Sequence, residues 1–156
     1  MNLIVEKIIS GGQTGADRAA LDFAIEHGLP HGGWCPKGRR AEDATIPSQY
    51  QLKETPSKNY SHRTEWNVRD SDGTVIFTIK ATLTGGSRKT AEFAENHCKP
   101  CLHLSAETSD DPASELRLFV QSIGIKVLNV AGSRASKEQD VGTFVMQVLS
   151  KAGLLA

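Results

Sequence analysis

Three stretches of the chain are mostly apolar and rich in β-branched residues: 3–9, 74–79 and 125–130. Runs of this kind predict strands covered on both faces, as in a parallel sheet. A shorter run, 100–104, predicts a fourth. Between the runs the apolar period lengthens to that of a helix. Ala16, Ala19, Ala20, Phe23 and Ala24 share one face, with Gly28 and Pro30 as the stop. Leu116, Phe119, Val120 and Ile123 follow Asp111-Pro112, a good helix start. Val141, Phe144, Val145, Val148 and Leu149 mark a last helix over 137–152. Two further helices are predicted, over 60–70 and from the Gly85-Gly86 pair through His97. Strand and helix thus alternate, which predicts an α/β fold with a mainly parallel sheet.

The regular alternation lapses between the first helix and residue 60. Residues 32–36 predict a short strand ended by Pro36, residues 37–43 hold the densest charge cluster, and 46–60 carry Pro47 and Pro56 with little apolar periodicity. At most, Tyr50 to Glu54 form a short edge strand. So long an irregular excursion is more often functional or partner-facing than idle.

The junctions between strands and helices carry the candidate chemistry. Ser10-Gly11-Gly12-Gln13-Thr14-Gly15-Ala16-Asp17 joins the first strand to the first helix. Thr84-Gly85-Gly86-Ser87-Arg88-Lys89-Thr90 repeats the arrangement after the second long strand, and Ala131-Gly132-Ser133-Arg134 follows the last. A glycine-rich turn into a helix leaves backbone N–H groups free at the positive end of the helix dipole, which suits phosphate or carboxylate. Parallel strands would bring all three turns to one carboxyl edge. The first turn is neither a Walker A loop nor a full G-x-G-x-x-G fingerprint. It also admits a plain structural reading, with Thr14 as N-cap and Asp17 helping the first helical turn. Arg63, Asn67 and Asp70 share a helix face and offer either a polar stripe at a cleft or a structural Arg63–Asp70 ion pair.

Composition narrows the field. The chain has 156 residues, enough for one domain over 1–156, and 18 basic against 18 acidic side chains. A net charge of zero gives no global pull toward nucleic acid or an anionic membrane. Met1 to Glu6 lack the basic start and apolar core of a secretory leader, no apolar run reaches spanning length, and the 3 cysteines are odd in number. A cytoplasmic setting is the expectation. Cys98-Lys99-Pro100-Cys101 straddles a helix end and a strand start, where a thioredoxin-type pair would precede its helix, and no second cysteine pair completes a zinc site.

Taken together, Gly11-Gly12-Gln13-Thr14-Gly15-Ala16-Asp17-Arg18, Gly33-Trp34-Cys35-Pro36-Lys37-Gly38-Arg39-Arg40-Ala41-Glu42-Asp43, Arg63-Thr64-Glu65, Asn67 to Asp72, Thr84-Gly85-Gly86 and Leu128-Asn129-Val130-Ala131-Gly132 resemble the molybdenum cofactor carrier family over nearly the whole chain. The resemblance implies a three-layer Rossmann-like sandwich of the lysine-decarboxylase-like, or LOG-like, superfamily. It further implies a homo-oligomer, a dimer or tetramer, that holds molybdenum cofactor or a related pterin- or nucleotide-like phosphate over the strand ends and hands it to a molybdoenzyme. Ser133 stands where a proline is usual in that family, and Arg88-Lys89 stand where small residues are common.

A molybdopterin carrier needs anion donors and polar groups but no strong metal ligands of its own. The candidate ligand- and phosphate-binding residues are accordingly Gly11, Gly12, Gln13, Thr14, Gly15 and Asp17 of the first turn; Lys37, Arg39 and Arg40 of the charge cluster; Thr84, Gly85, Gly86, Ser87 and Thr90 of the second turn; and Gly132, Ser133 and Arg134 of the third. The basic cluster reads equally as a solvated loop. An enzyme is the alternative: LOG phosphoribohydrolases cleave the N-glycosidic bond of nucleoside monophosphates with a Pro-Gly-Gly-x-Gly-Thr-x-x-Glu loop. Gly85-Gly86 and Glu92 keep its outer spacing, the leading proline and third glycine are missing, and Glu92 and Arg88 would be the catalytic candidates. A sensor of a nucleotide-derived ligand is a third reading.

Overall fold

The computed structural model describes residues 4–155. The first strand, β1 (Lys7–Ile9), leads into α1 (Ala16–Glu26), and the chain returns through β2 (His31–Gly32). Three short pairing segments and one more follow, β3 (Trp34–Cys35), β4 (Arg40–Ala41), β5 (Ala44–Thr45) and β6 (Lys53–Glu54). The rest alternates: α2 (Tyr60–Arg69), β7 (Gly73–Thr78), α3 (Gly85–Asn96), β8 (Cys101–Ser105), α4 (Pro112–Ile123), β9 (Val127–Gly132) and α5 (Val141–Ala152).

Five strands form one parallel sheet in the order β2-β1-β9-β7-β8. α1 packs on α5 and α5 on α4, whereas α2 packs on α3, giving the three layers of a Rossmann-like sandwich. The core between the sheet and the first group of helices includes Ile8, Phe23, Phe77, Leu116, Leu128 and Val145. β7 is buried at all six positions, as its unbroken apolar run requires. The chain leaves β1 toward β2 on one side of β9 and leaves β7 toward β8 on the other. The carboxyl end of β9 is therefore the switch point, where α/β folds open a crevice.

Several boundaries depart from the sequence pattern for identifiable reasons. Of the first strand, Leu3 lies outside the described residues, and pairing begins only at Lys7. The single strand expected over 32–36 is broken in two. Gly33 has φ +125°, and a Cβ there would lie 2.3 Å from the Ser10 carbonyl oxygen. That kink sends Trp34–Cys35 out of the main sheet to pair with β6. The last helix starts at Val141, four residues late, after a turn through Glu138. Ile123 was expected on the buried face of α4, yet it is 46 % exposed, one residue before the left-handed Gly124 that ends the helix.

The excursion between β2 and α2 builds a small core of its own from Leu21, Cys35, Ile46 and Tyr50, with Leu52 against it. The Tyr50 hydroxyl donates to Asp22 Oδ1 at 2.6 Å, and burial with that carboxylate pushes the phenol up to about 12. This unit stands over the first glycine turn.

Candidate functional site

A cleft of about 300 Å³ opens over the carboxyl ends of β1 and β9. Its walls come from the β1–α1 turn (Gly11, Gln13, Asp17), from α2 (Tyr60, Ser61, Arg63, Thr64, Asn67), from the start of α3 (Thr84 to Ser87, Lys89, Thr90) and from residues 129–134 with Lys137. Such a volume lies at the small end of ligand sites and suits one ring system with its substituents.

Three N–H groups of the first glycine turn are taken within the protein. Asp17 Oδ2 accepts the N–H of Gln13 at 3.1 Å, Gln13 Oε1 accepts the N–H of Thr14 at 3.1 Å, and the N–H of Ala16 donates to the Ser133 carbonyl at 3.0 Å. The N-cap of α1 is Gly15 rather than Thr14, and no side chain caps it. Thr14 Oγ1 instead donates to Glu42 and accepts from the N–H of Ala135 at 3.2 Å. Gly15 lets the third turn approach, since a Cβ there would lie 2.5 Å from the Ser133 carbonyl oxygen. Gly12, at φ +79°, faces the small core, where its Cβ would lie 2.7 Å from Leu52. These glycines are needed for close packing, and the anion the turn holds is the protein's own Asp17.

Asp17 is buried, and that burial raises its carboxyl above the ordinary value despite the opposing Arg63 guanidinium, whose Nη1 is 3.8 Å away, and the Gln13 N–H. Arg63 does not pair with Asp70. Its Nη1 donates to the Gly11 carbonyl at 2.7 Å, and its guanidinium stacks 5.1 Å from the Tyr60 ring centroid. Asp70, at the C-cap of α2, accepts from the Trp34 indole at 2.8 Å and from Arg69 Nε at 2.8 Å. The bond from Arg69 dominates in holding Asp70 below the usual carboxylate range.

The second glycine turn is arranged differently. Thr84 is the N-cap of α3, but its side chain caps none of the first-turn N–H groups. The N–H of Arg88 is the first to find the helical acceptor, on the Thr84 carbonyl. The N–H groups of Gly85, Gly86 and Ser87 precede it and sit at the cleft. Thr90 donates its hydroxyl back to the Gly86 carbonyl at 2.9 Å, which uses that donor internally. Lys89, Lys137 and Arg134 stand around the same opening. The third turn is braced by Glu138, which accepts from Ile79 N–H at 2.8 Å, Lys80 N–H at 2.9 Å and the Ser133 hydroxyl at 2.6 Å. Gly132, at φ +156°, passes so close that a Cβ would lie 2.2 Å from the Phe77 carbonyl oxygen.

Of the residues singled out from sequence, the cleft collects Gly11, Gln13, Asp17, Thr84, Gly85, Gly86, Ser87, Thr90, Gly132, Ser133 and Arg134. It leaves out Gly12, Thr14 and Gly15 of the first turn and Lys37, Arg39 and Arg40 of the charge cluster. Arg39 donates through Nε and Nη2 to the carbonyls of Ile46, Pro47 and Tyr50 and so ties the excursion together. Arg40 stacks 6.0 Å from the Tyr60 ring, and Lys37 is exposed. Arg88 and Glu92 lie outside the cleft, paired with each other at 3.8 Å on the exposed side of α3. Tyr60, Asn129, Lys89 and Lys137 join the site without having been read from the sequence as part of it. The helical spacing of Lys89 from Gly85, and the position of Lys137 just past the third turn, were the available signals. Cys98 and Cys101 are free thiols, and burial pushes the Cys101 thiol up to about 11, opposite to what a redox nucleophile needs. Among the described residues no group of three or more His, Cys, Asp or Glu is placed to hold a metal ion, and no helix is long and apolar enough to cross a membrane.

Residues 8–152 match the circularly permutated YpsA SLOG family. The chain belongs to that family. Its fold is also that of a solved structure from Syntrophus aciditrophicus SB named "Putative molybdenum carrier protein", with a TM-score of 0.92, 50 % sequence identity, and coverage of 95 % of this chain and 94 % of that one. No curated protein matches the chain.

Proposed function

We propose that this protein carries a molybdopterin-type ligand in the cleft above β9, with the ligand's phosphate at the amino end of α3. The observation that carries this reading is the contrast between the two glycine turns. In the first, Asp17 and Gln13 occupy the N–H groups of Gln13 and Thr14, while Gly85, Gly86 and Ser87, whose N–H groups precede the first helical acceptor, line the cleft with Lys89, Lys137 and Arg134. Backbone donors, a helix dipole and three cations together suit a phosphate dianion. The residues fit a pterin phosphate as cargo: they supply anion donors and polar groups and no competing metal ligands. The name of the Syntrophus structure supports the same class.

The ligand is held intact on this reading. Hydrolysis of an N-glycosidic bond needs a carboxylate within reach of water and sugar. Asp17 is committed to the first turn, and Glu92 lies outside the cleft. A molybdoenzyme that receives the cofactor is the partner this role calls for.

Native mass spectrometry of anaerobically purified protein, with elemental analysis for molybdenum and tungsten and incubation with nucleoside monophosphates, tests the proposal. A co-purifying pterin-sized ligand or molybdenum, with the nucleotides left whole, is expected. An empty protein that liberates free base would overturn it.

A further inference from the structure

Two side chains that line the cleft carry spare donors. Gln13 is 6 % and Arg63 7 % exposed. The Gln13 amide has its orientation fixed: Oε1 accepts the N–H of Thr14 at 3.1 Å and that of Glu42 at 2.8 Å, so the oxygen faces the turn. Its Nε2, with two hydrogens, has no protein acceptor among the described residues. Arg63 donates from Nε to Thr64 Oγ1 at 3.2 Å and from Nη1 to the Gly11 carbonyl at 2.7 Å, leaving Nη2 without one. Among the described residues no fully enclosed side-chain nitrogen or oxygen lacks a partner, so neither nitrogen is sealed off, and both residues line the cleft.

The two residues meet at one carboxylate: Asp17 Oδ2 accepts the Gln13 backbone N–H at 3.1 Å and lies 3.8 Å from Arg63 Nη1. Asp17 also balances the charge of Arg63. The pair is therefore a dipolar double donor rather than a second phosphate site. N–H donors offered by two residues of one cleft wall suit an oxygen with two lone pairs and no full charge, which is a ring carbonyl. A ring nitrogen offers one lone pair, and an exocyclic amino group would set N–H against N–H, leaving buried donors unpaired.

We propose that Gln13 and Arg63 make the cleft selective for an oxo-substituted ring, as in a pterin or in guanine and hypoxanthine, over the corresponding amino-substituted ring. The inference rests on the phosphate end lying at α3, which leaves the ring to reach the β1 side.

Calorimetric titration with inosine, guanosine and adenosine monophosphates, a pterin phosphate monoester and inorganic phosphate tests it. The wild-type protein should bind the inosine and guanosine esters at least about tenfold more tightly than the adenosine ester, since a site with unpaired donors rejects the wrong partner strongly. Tighter binding of the pterin ester than of the guanosine ester would assign the ring without changing the selectivity. Gln13→Glu keeps an oxygen for Thr14 and Glu42 and replaces the Nε2 donor by an acceptor, so the inosine-to-adenosine ratio should fall about tenfold or invert. Where thermal unfolding shows that variant to be misfolded, Arg63→Lys, which keeps the charge but not the fork, should lower the same ratio. Equal wild-type affinity for all the esters, or a ratio unmoved in the folded variant, overturns the selectivity and leaves the phosphate site standing. Failure of every ester and of inorganic phosphate to bind removes the phosphate site and this inference with it.

Discussion

Asn67 clasps the backbone of Trp34 as a neighbouring strand would: its Oδ1 accepts the Trp34 N–H at 2.8 Å and its Nδ2 donates to the Trp34 carbonyl at 3.0 Å. The chain at Trp34 has just been turned out of the main sheet by Gly33, so one side chain replaces the lost sheet partner. The clasp also fixes α2, one turn from Arg63. Asn67→Ala would leave both backbone groups of Trp34 without their partner, at a cost of about 2–4 kcal/mol. Urea unfolding should show that loss, and an unchanged midpoint would mean the clasp is dispensable.

Arg39 and Lys137 separate stability from binding. Arg39→Ala removes donors from three carbonyls of the excursion and should lower stability by about 1–3 kcal/mol, with phosphate affinity retained. Lys137→Met should do the reverse, weakening phosphate binding several-fold at low salt and less at high salt, because its cation acts through a screened field. Unfolding curves and titrations of both variants at two ionic strengths decide the matter. An Arg39 variant that folds normally but fails to bind would return the basic cluster to the site.

The order of strands and helices was legible because β1, β7 and β9 are apolar on both faces and the helices keep their period. The candidate anion site was legible only in part. Two similar glycine turns look alike as sequence, and their difference lies in side chains that reach back: Asp17 and Gln13 occupy the first, while Thr84 does not occupy the second. The basic cluster at 37–40 was read equally as site or solvated loop for the same reason, since nothing local indicates that Arg39 would bind the carbonyls of residues 46, 47 and 50. The Arg63–Asp70 pair, one of the two readings of that helix face, gave way to other partners, Gly11 for Arg63 and Arg69 with Trp34 for Asp70. What pattern and spacing resolve is placement on an element; what they leave open is competition among partners brought together by the fold.

Gly86 and Gly33 should respond oppositely to alanine. A Cβ at Gly86 meets nothing within 4 Å, and the residue is helical, so Gly86→Ala should stabilise the fold by about 0.5–1 kcal/mol. The same methyl stands at the cleft and should weaken phosphate binding. Gly33→Ala would place its Cβ 2.3 Å from a backbone oxygen at φ +125° and should destabilise by more than 3 kcal/mol, on the order of the largest single-residue effects. Thermal melts and titration of Gly86→Ala check the pairing; a variant with raised melting temperature and undiminished affinity would show that no ligand approaches Gly86.

Glu42 links the tip of the β4–β5 hairpin to the third turn. It accepts from the Ser136 hydroxyl at 2.5 Å, from the Ser136 N–H at 3.1 Å and from Thr14, and lies 3.8 Å from Arg134. The bond from Ser136, followed by that from Thr14, lowers its carboxyl below the ordinary value of 4.5. A depressed folded-state value means that the ionised form contributes stability above the unfolded value, and that this contribution is lost as pH falls through the folded one. Glu42→Gln should therefore be less stable than wild type by a constant margin from neutral pH down to about pH 5, and the margin should shrink as pH drops below 4.5. Because Glu42 also holds the turn that carries Arg134, the variant should bind phosphate more weakly at pH 7. Melting temperatures of the two proteins at pH 7, 5, 4 and 3 decide it, and a margin as wide at pH 3 as at pH 7 would show that the Glu42 charge does not latch the hairpin to the site.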